Sequence, residues 1–169
     1  MCRDNVEIFY ITPMKAEWIN AFILATRDTF QKMLMLQVEA GKPYLLSEDM
    51  NIKDISGMIG LTGTIKGAVV IGFTEESALK TVNKFLGEKY TQLSPDVSDA
   101  VGELVNIIAG YVKKFVQKEK FGISLPSVAR GSKHMVYMPK YAPTIVIPFT
   151  SPEIGNFVLE AALAEGNNA

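Results

Sequence analysis

The chain has 169 residues, 48% hydrophobic and 21% charged, a globular mixture that excludes a disordered or fibrous design and fits one domain with a sizeable core. Lys and Arg number 17 against 18 Asp and Glu, a formal charge of -1 with no basic tract, so no electrostatic footprint for DNA or RNA is present. A single cysteine, Cys2, excludes an internal disulfide and a thiolate metal cluster within the chain, and a single histidine, His134, excludes a His-rich zinc site.

Taken from the start, residues 1–13 end at Pro13 and read as a short strand or an extension before an alternative start at Met14. They lack the long apolar stretch of a secretory signal. From Ala16 to about Glu39, Ile19, Phe22, Ile23, Phe30, Met33, Leu34 and Val38 recur at helical spacing, and Gly41-Lys42-Pro43 stops the pattern. Three extended segments follow, about Tyr44 to Leu46, Ile52 to Thr62 and Gly67 to Thr74, punctuated by glycines. Their apolar runs are far shorter than the roughly 20 residues of a membrane helix. Ser77 to Leu86 predicts a second helix closed by Gly87.

Ser94-Pro95-Asp96 supplies an N-cap, a proline at the first helical position and an acid suited to the helix dipole. The third helix therefore starts there and is expected to run to roughly Lys120, before Phe121-Gly122. Extended segments are expected near Ile123 to Val128, His134 to Met138, Thr144 to Phe149 and Phe157 to Ala162, with residues 166–169 as a frayed tail. Helix followed by strands thus occurs twice. A constant offset sets Leu61 against Phe149, Gly67 against Gly155, and Val69-Val70-Ile71 against Phe157-Val158-Leu159. Two such pseudo-repeated units predict an α+β domain over residues 14–165, with long helices packed on a largely antiparallel sheet.

The third helix carries the candidate chemistry. Its apolar face gathers Val97, Val101, Leu104, Val105, Ile108, Val112, Phe115 and Val116; the opposite face gathers Asp96, Asp99, Glu103, Asn106, Gly110, Lys113 and Lys114, with Ile107 on its flank. Glu103 and Asn106, three residues apart, point the same way and can touch one partner together. Taken by spacing alone, any amphipathic helix could supply such a pair on its solvated side. Gly102 and Gly110 weaken a helix by roughly 1 kcal/mol each relative to Ala, which sets this helix apart from an ordinary surface one.

Asp99-Ala100-Val101-Gly102-Glu103-Leu104-Val105-Asn106-Ile107-Ile108-Ala109-Gly110 resembles the signature helix of the CheC/CheX/FliY chemotaxis phosphatases, most closely the CheX-like members. The likeness extends to Ala16-Glu17-Trp18-Ile19-Asn20-Ala21-Phe22 and to Leu125-Pro126-Ser127-Val128. It implies a CheC-like fold and hydrolysis of the aspartyl phosphate on a phosphorylated CheY-like response regulator. In that role Asn106 would hold the attacking water, since a carboxamide both accepts and donates, and positioning dominates phosphoryl transfer. Glu103 would meet a lysine of the partner, and Asp99, Ile107, Gly110 and Lys113 would line the contact. The Mg2+ of such a reaction sits on the response regulator, so no cofactor or metal is expected on this chain. The single cysteine fits a cytoplasmic home, and the resemblance implies a homodimer joined through sheet edges.

Glu17 and Asn20 repeat the Glu-x-x-Asn spacing and are a candidate second site, because CheC-type relatives carry two active helices. Against it, Ala16 replaces the preceding glycine, Leu24 stands where the following one would be, and an acid in a first helical turn merely complements the dipole. Other readings stay open at this level. The fold also serves non-catalytic flagellar-switch modules that bind chemotaxis regulators, Asp99 and Glu103 could act as paired carboxylates of a small-molecule hydrolase, and a Ser/His/Asp triad would hang on His134 alone.

Overall fold

A computed structural model describes residues 14–47, 53–132 and 134–167; residues 1–13 and Ile52, named above, lie outside the described residues. Helix α1 spans Ala16–Thr29 and passes into a π-helical turn, Phe30–Leu34. Short strands β1 (Glu39–Ala40) and β2 (Tyr44–Leu45) precede the long hairpin of β3 (Ile55–Gly63) and β4 (Ile65–Phe73). Helices α2 (Glu75–Leu86) and α3 (Pro95–Val112) follow, then β5 (Phe121–Ile123), β6 (Ser127–Arg130) and the second hairpin, β7 (Ile145–Ser151) and β8 (Gly155–Glu165).

Among the described residues all eight strands join one antiparallel sheet in the order β1, β7, β8, β4, β3, β5, with β2 also on β7 and β6 also on β3. The two hairpins meet at β4 and β8, and the edges are exchanged. Strands β1 and β2 from the first half flank the second hairpin, while β5 and β6 from the second half flank the first. The fold is therefore α+β, with two helix-strand units as the sequence predicts. The uniform offset fails, however: Leu61 pairs with Gly67, whereas Phe149 pairs with Phe157 and Gly155 with Ser151. The second hairpin is longer at its turn, so the repeat holds for elements and not for register.

Alternation sends Ile55, Ile59 and Leu61 of β3 and Val69, Ile71 and Phe73 of β4 into the helix-covered core. Phe73, Phe157 and Phe149 stand in one row across β4, β8 and β7, with ring centroids 5.3 and 5.1 Å apart, and Phe30 stacks on Phe157 at 4.7 Å. That seat for Phe30 accompanies the early end of α1, which was expected to reach Glu39. Thr26 and Thr29 hydroxyls donate to the Phe22 and Ala25 carbonyls at 2.7 and 2.8 Å, Met35 adopts a left-handed φ of 56°, and Glu39 already belongs to a strand.

The third helix also stops short of the expected Lys120. After Val112, the Lys114 and Phe115 amides bond to residues three back, at 3.0 and 2.9 Å, and Lys120 exchanges bonds with Thr64 to start β5. The run expected from Ile123 to Val128 is two strands broken at 124–126, and 134–138 is not a strand. His134 instead accepts or donates at both ring nitrogens, Nε2 with the Ser56 hydroxyl and Nδ1 with the Gly131 carbonyl, each at 2.8 Å. Ser56 is buried and the third partner is a carbonyl, so this pair pins the crossing segment to the back of the sheet and builds no triad. The Thr144 to Phe149 edge is covered by β1 and β2. Gly166 still donates to the Thr64 carbonyl at 2.9 Å, so the tail is held at its first residue. On the back face Lys53 and Glu160 form a buried ion pair.

Candidate functional site

Helix α3 lies against β3, β4 and β6 and beside α1 and α2. Ser94 caps it, its hydroxyl accepting from the Val97 amide at 3.3 Å, with Pro95 at the first turn. Val97, Val101, Leu104, Val105, Ile108 and Val112 are buried, so the helix is locked in rotation. Close approach to the sheet is allowed by Gly57: a β-carbon there would lie 3.0 Å from the Val101 carbonyl oxygen. The opposite stripe is thereby fixed in space.

On that stripe Asp99, Glu103 and Lys113 are exposed, and Asn106, Ile107 and Gly110 are half-buried. Glu103 and Asn106 stand one turn apart, facing outward together. Neither side chain bonds to another group among the described residues. Lys113 rides over the Phe121 ring at 5.4 Å, and Lys114 over Tyr111 at 4.0 Å, so both ammonium groups are tethered at the far end of the stripe.

The two helix-weakening glycines have different reasons. Gly102 is buried, and a β-carbon there would meet Val128 Cγ2 at 3.2 Å and Pro126 at 3.6 Å. It makes room for the chain leading into β6. A β-carbon on Gly110 would meet nothing within 4 Å. Packing does not call for that glycine.

Glu17 and Asn20 are exposed on the first turns of α1. Between them Trp18 is buried, its indole donating to Glu119 at 3.3 Å, with Lys15 5.1 Å from the ring. Lys15 also pairs with Glu165 at 2.5 Å, which raises its pKa. Trp18 thus anchors the helix start.

Sequence reasoning missed a groove beside Glu103. Its wall is Phe85, Leu86 and Tyr90, brought there by the end of α2 and the connector to α3. Loop residues carry no periodicity, and Leu86 reads only as the end of a helix. Among the described residues, no group of three or more His, Cys, Asp or Glu is arranged to hold a metal, and no helix is long and apolar enough to cross a membrane.

The profile of a family described as chemotaxis phosphatase CheX matches residues 55–150, from the first hairpin through the whole of α3 into β7. The chain belongs to the CheX family. The CheY-P phosphatase CheX of Thermotoga maritima is 33% identical over 123 residues, covering 70% of this chain and 78% of that protein. Among solved structures, chemotaxis protein CheX from Vibrio vulnificus superposes with a TM-score of 0.81 at 29% identity, covering 88% of this chain and 100% of that one. The CheX-CheY-BeF3-Mg+2 complex from Borrelia burgdorferi contains a similar chain, with a TM-score of 0.76 and 27% identity over 88% of this chain and 98% of that one. In this member the matched region includes the outward-facing stripe of Glu103 and Asn106 on a rotationally locked α3.

Proposed function

We propose that this chain hydrolyses the aspartyl phosphate of a CheY-type response regulator, with Asn106 holding the water and Glu103 holding the partner. The observation that carries the reading is the pairing of Glu103 and Asn106, one turn apart and without partners among the described residues, on a helix fixed by its buried face. The named activity of the Thermotoga relative and the CheY bound in the Borrelia complex support it.

An acyl phosphate is already reactive, and an added strong base is not required. Water attacks phosphorus in line, the bond from phosphorus to the aspartate oxygen breaks, inorganic phosphate leaves and the water proton passes to phosphate or solvent. The Asn106 oxygen accepts from that water and its nitrogen donates to it, which fixes the nucleophile and removes much of the entropic barrier. Glu103 meets a cationic side chain of the partner near the phosphorylated aspartate. Asp99, Ile107 and Lys113 extend the contact, and the glycine at 110 brings backbone close to it. Mg2+ belongs to the receiver domain.

The chain works in the cytoplasm as a homodimer. Because β7 is covered, the open edges among the described residues are the short strands β1 and β2 on one side and β5 and β6 on the other, and one of these joins the copies. Light scattering on the purified chain tests the dimer. The deciding experiment for function follows the decay of phosphorylated response regulators from the same organism with and without the chain. An unchanged decay rate for all of them would sink the reading.

A further inference from the structure

The groove beside Glu103 has a built wall and an acidic rim. Its volume is about 370 Å³. Phe85 and Tyr90 are half-buried, and Leu86, which closes α2, is left 43% exposed. The wall is held by Asn83, whose carboxamide oxygen accepts from the Tyr90 amide at 2.7 Å while its nitrogen donates to the Tyr90 carbonyl at 3.1 Å. The side chain thereby does for the connector what a neighbouring strand does in a sheet, and Gly87, with φ of 69°, turns the chain into place.

Facing this wall, Asp96, Asp99 and Glu103 project from the first turns of α3. None of the three has a hydrogen bond or ion pair among the described residues. Partial burial pushes the Tyr90 phenol above its ordinary pKa, and the carboxylates of Asp96 and Glu88 add to that shift. Apolar wall and negative rim together fit one kind of occupant, a side chain with a long methylene stem and a positive tip.

We propose that this groove selects the response regulator by taking a lysine or arginine on the surface of its receiver domain, the stem lying on Phe85, Leu86 and Tyr90 and the cation between Asp96 and Asp99. This residue is additional to the cation that Glu103 meets. The inference rests on the phosphatase reading above and deepens it. Asn83 acts as a positioning residue, holding Tyr90 where the stem needs it.

The test uses the receiver domain whose phosphoryl loss the native chain accelerates, loaded with beryllium fluoride and Mg2+ for binding and phosphorylated for turnover. The Asp96→Asn variant, at the groove residue outside the contact assigned above, is expected to weaken binding and raise KM about fivefold and to flatten the salt dependence of affinity. Tyr90→Ala is expected to weaken binding by about tenfold as well, as a centrally placed aromatic does in a docking surface. Asn83→Ala should raise KM in the same direction while a thermal melt stays cooperative. Leu86→Ser, at an exposed position that spares the core, guards against loss of fold in the other variants. Unchanged KM and unchanged salt slope in Asp96→Asn, with unchanged KM in Leu86→Ser, would overturn the groove while leaving the phosphatase reading intact. A native chain that accelerates the decay of no receiver domain would remove that reading, and the groove proposal with it.

Discussion

Gly102 and Gly110 lie two turns apart on α3, and only Gly102 faces a wall that a β-carbon would strike. Gly110→Ala should therefore stabilise the fold by about 0.5–1 kcal/mol, because helix propensity improves and nothing is displaced. That is a rise of roughly 1–4 °C in Tm. If the exposed backbone at this position serves the partner, the same variant should bind the receiver domain less tightly. Gly102→Leu should lose about 1–3 kcal/mol by pressing on Val128 and Pro126. Calorimetry of the two variants separates a packing glycine from one kept for contact, and a destabilised Gly110→Ala would contradict the assignment.

Asn106→Ala is expected to cost about 100-fold in kcat, since mispositioning a reactant has effects of that order, with little change in Tm because the side chain is half-buried and bonds to no other side chain or backbone group among the described residues. Glu103→Ala is expected to raise KM about tenfold and to retain most of kcat. Single-turnover decay of the phosphorylated regulator distinguishes the two. Equal activity of native and Asn106→Ala protein would refute the water-holding role.

Asn20→Ala should leave phosphatase activity within about twofold of native, a difference worth less than 0.5 kcal/mol. The α1 pair sits at the exposed start of its helix, next to the Trp18 anchor and without flanking glycines. A loss approaching that of Asn106→Ala would make α1 a second active helix.

Much of this site was legible in the sequence, for physical reasons that also mark where legibility ends. Ser94 and Pro95 announce the start of α3 because capping and proline geometry are local. Its end is not announced: no glycine or proline lies between Lys113 and Lys120, and the helix yields there to the pairing of Phe121 with Gly63, a contact remote in sequence. Apolar spacing carries the expectation for α1 on to Val38, which is indeed buried, but in an irregular segment between the π-helical turn and β1. The alternation near His134 is overridden by its bonds to Ser56 and Gly131. The wall of Phe85, Leu86 and Tyr90 depends on how α2 meets α3, which no local pattern encodes.

Glu160→Leu is expected to destabilise the fold by about 3–5 kcal/mol, the cost of leaving the Lys53 ammonium buried without its carboxylate. The Lys53→Met/Glu160→Leu double variant should recover part of that loss, since the Lys53 cation is then removed together with its carboxylate. Denaturant midpoints at constant m measure both. A double variant as unstable as the single one would show that the pair is not what the site depends on.

The exchange of edge strands also governs how the chain reaches its native state. Strand β3 completes its outer flank only when β6 arrives, through pairings such as Ile55 with Arg130, and β7 completes its own with β1 and β2, formed far earlier in the chain. Neither hairpin can be finished by its own half. Contacts of such sequence separation slow folding, and they bind both halves into a single cooperative unit. A cut between α2 and α3 would therefore leave two fragments, each with a bare sheet edge, that regain structure only by finding one another.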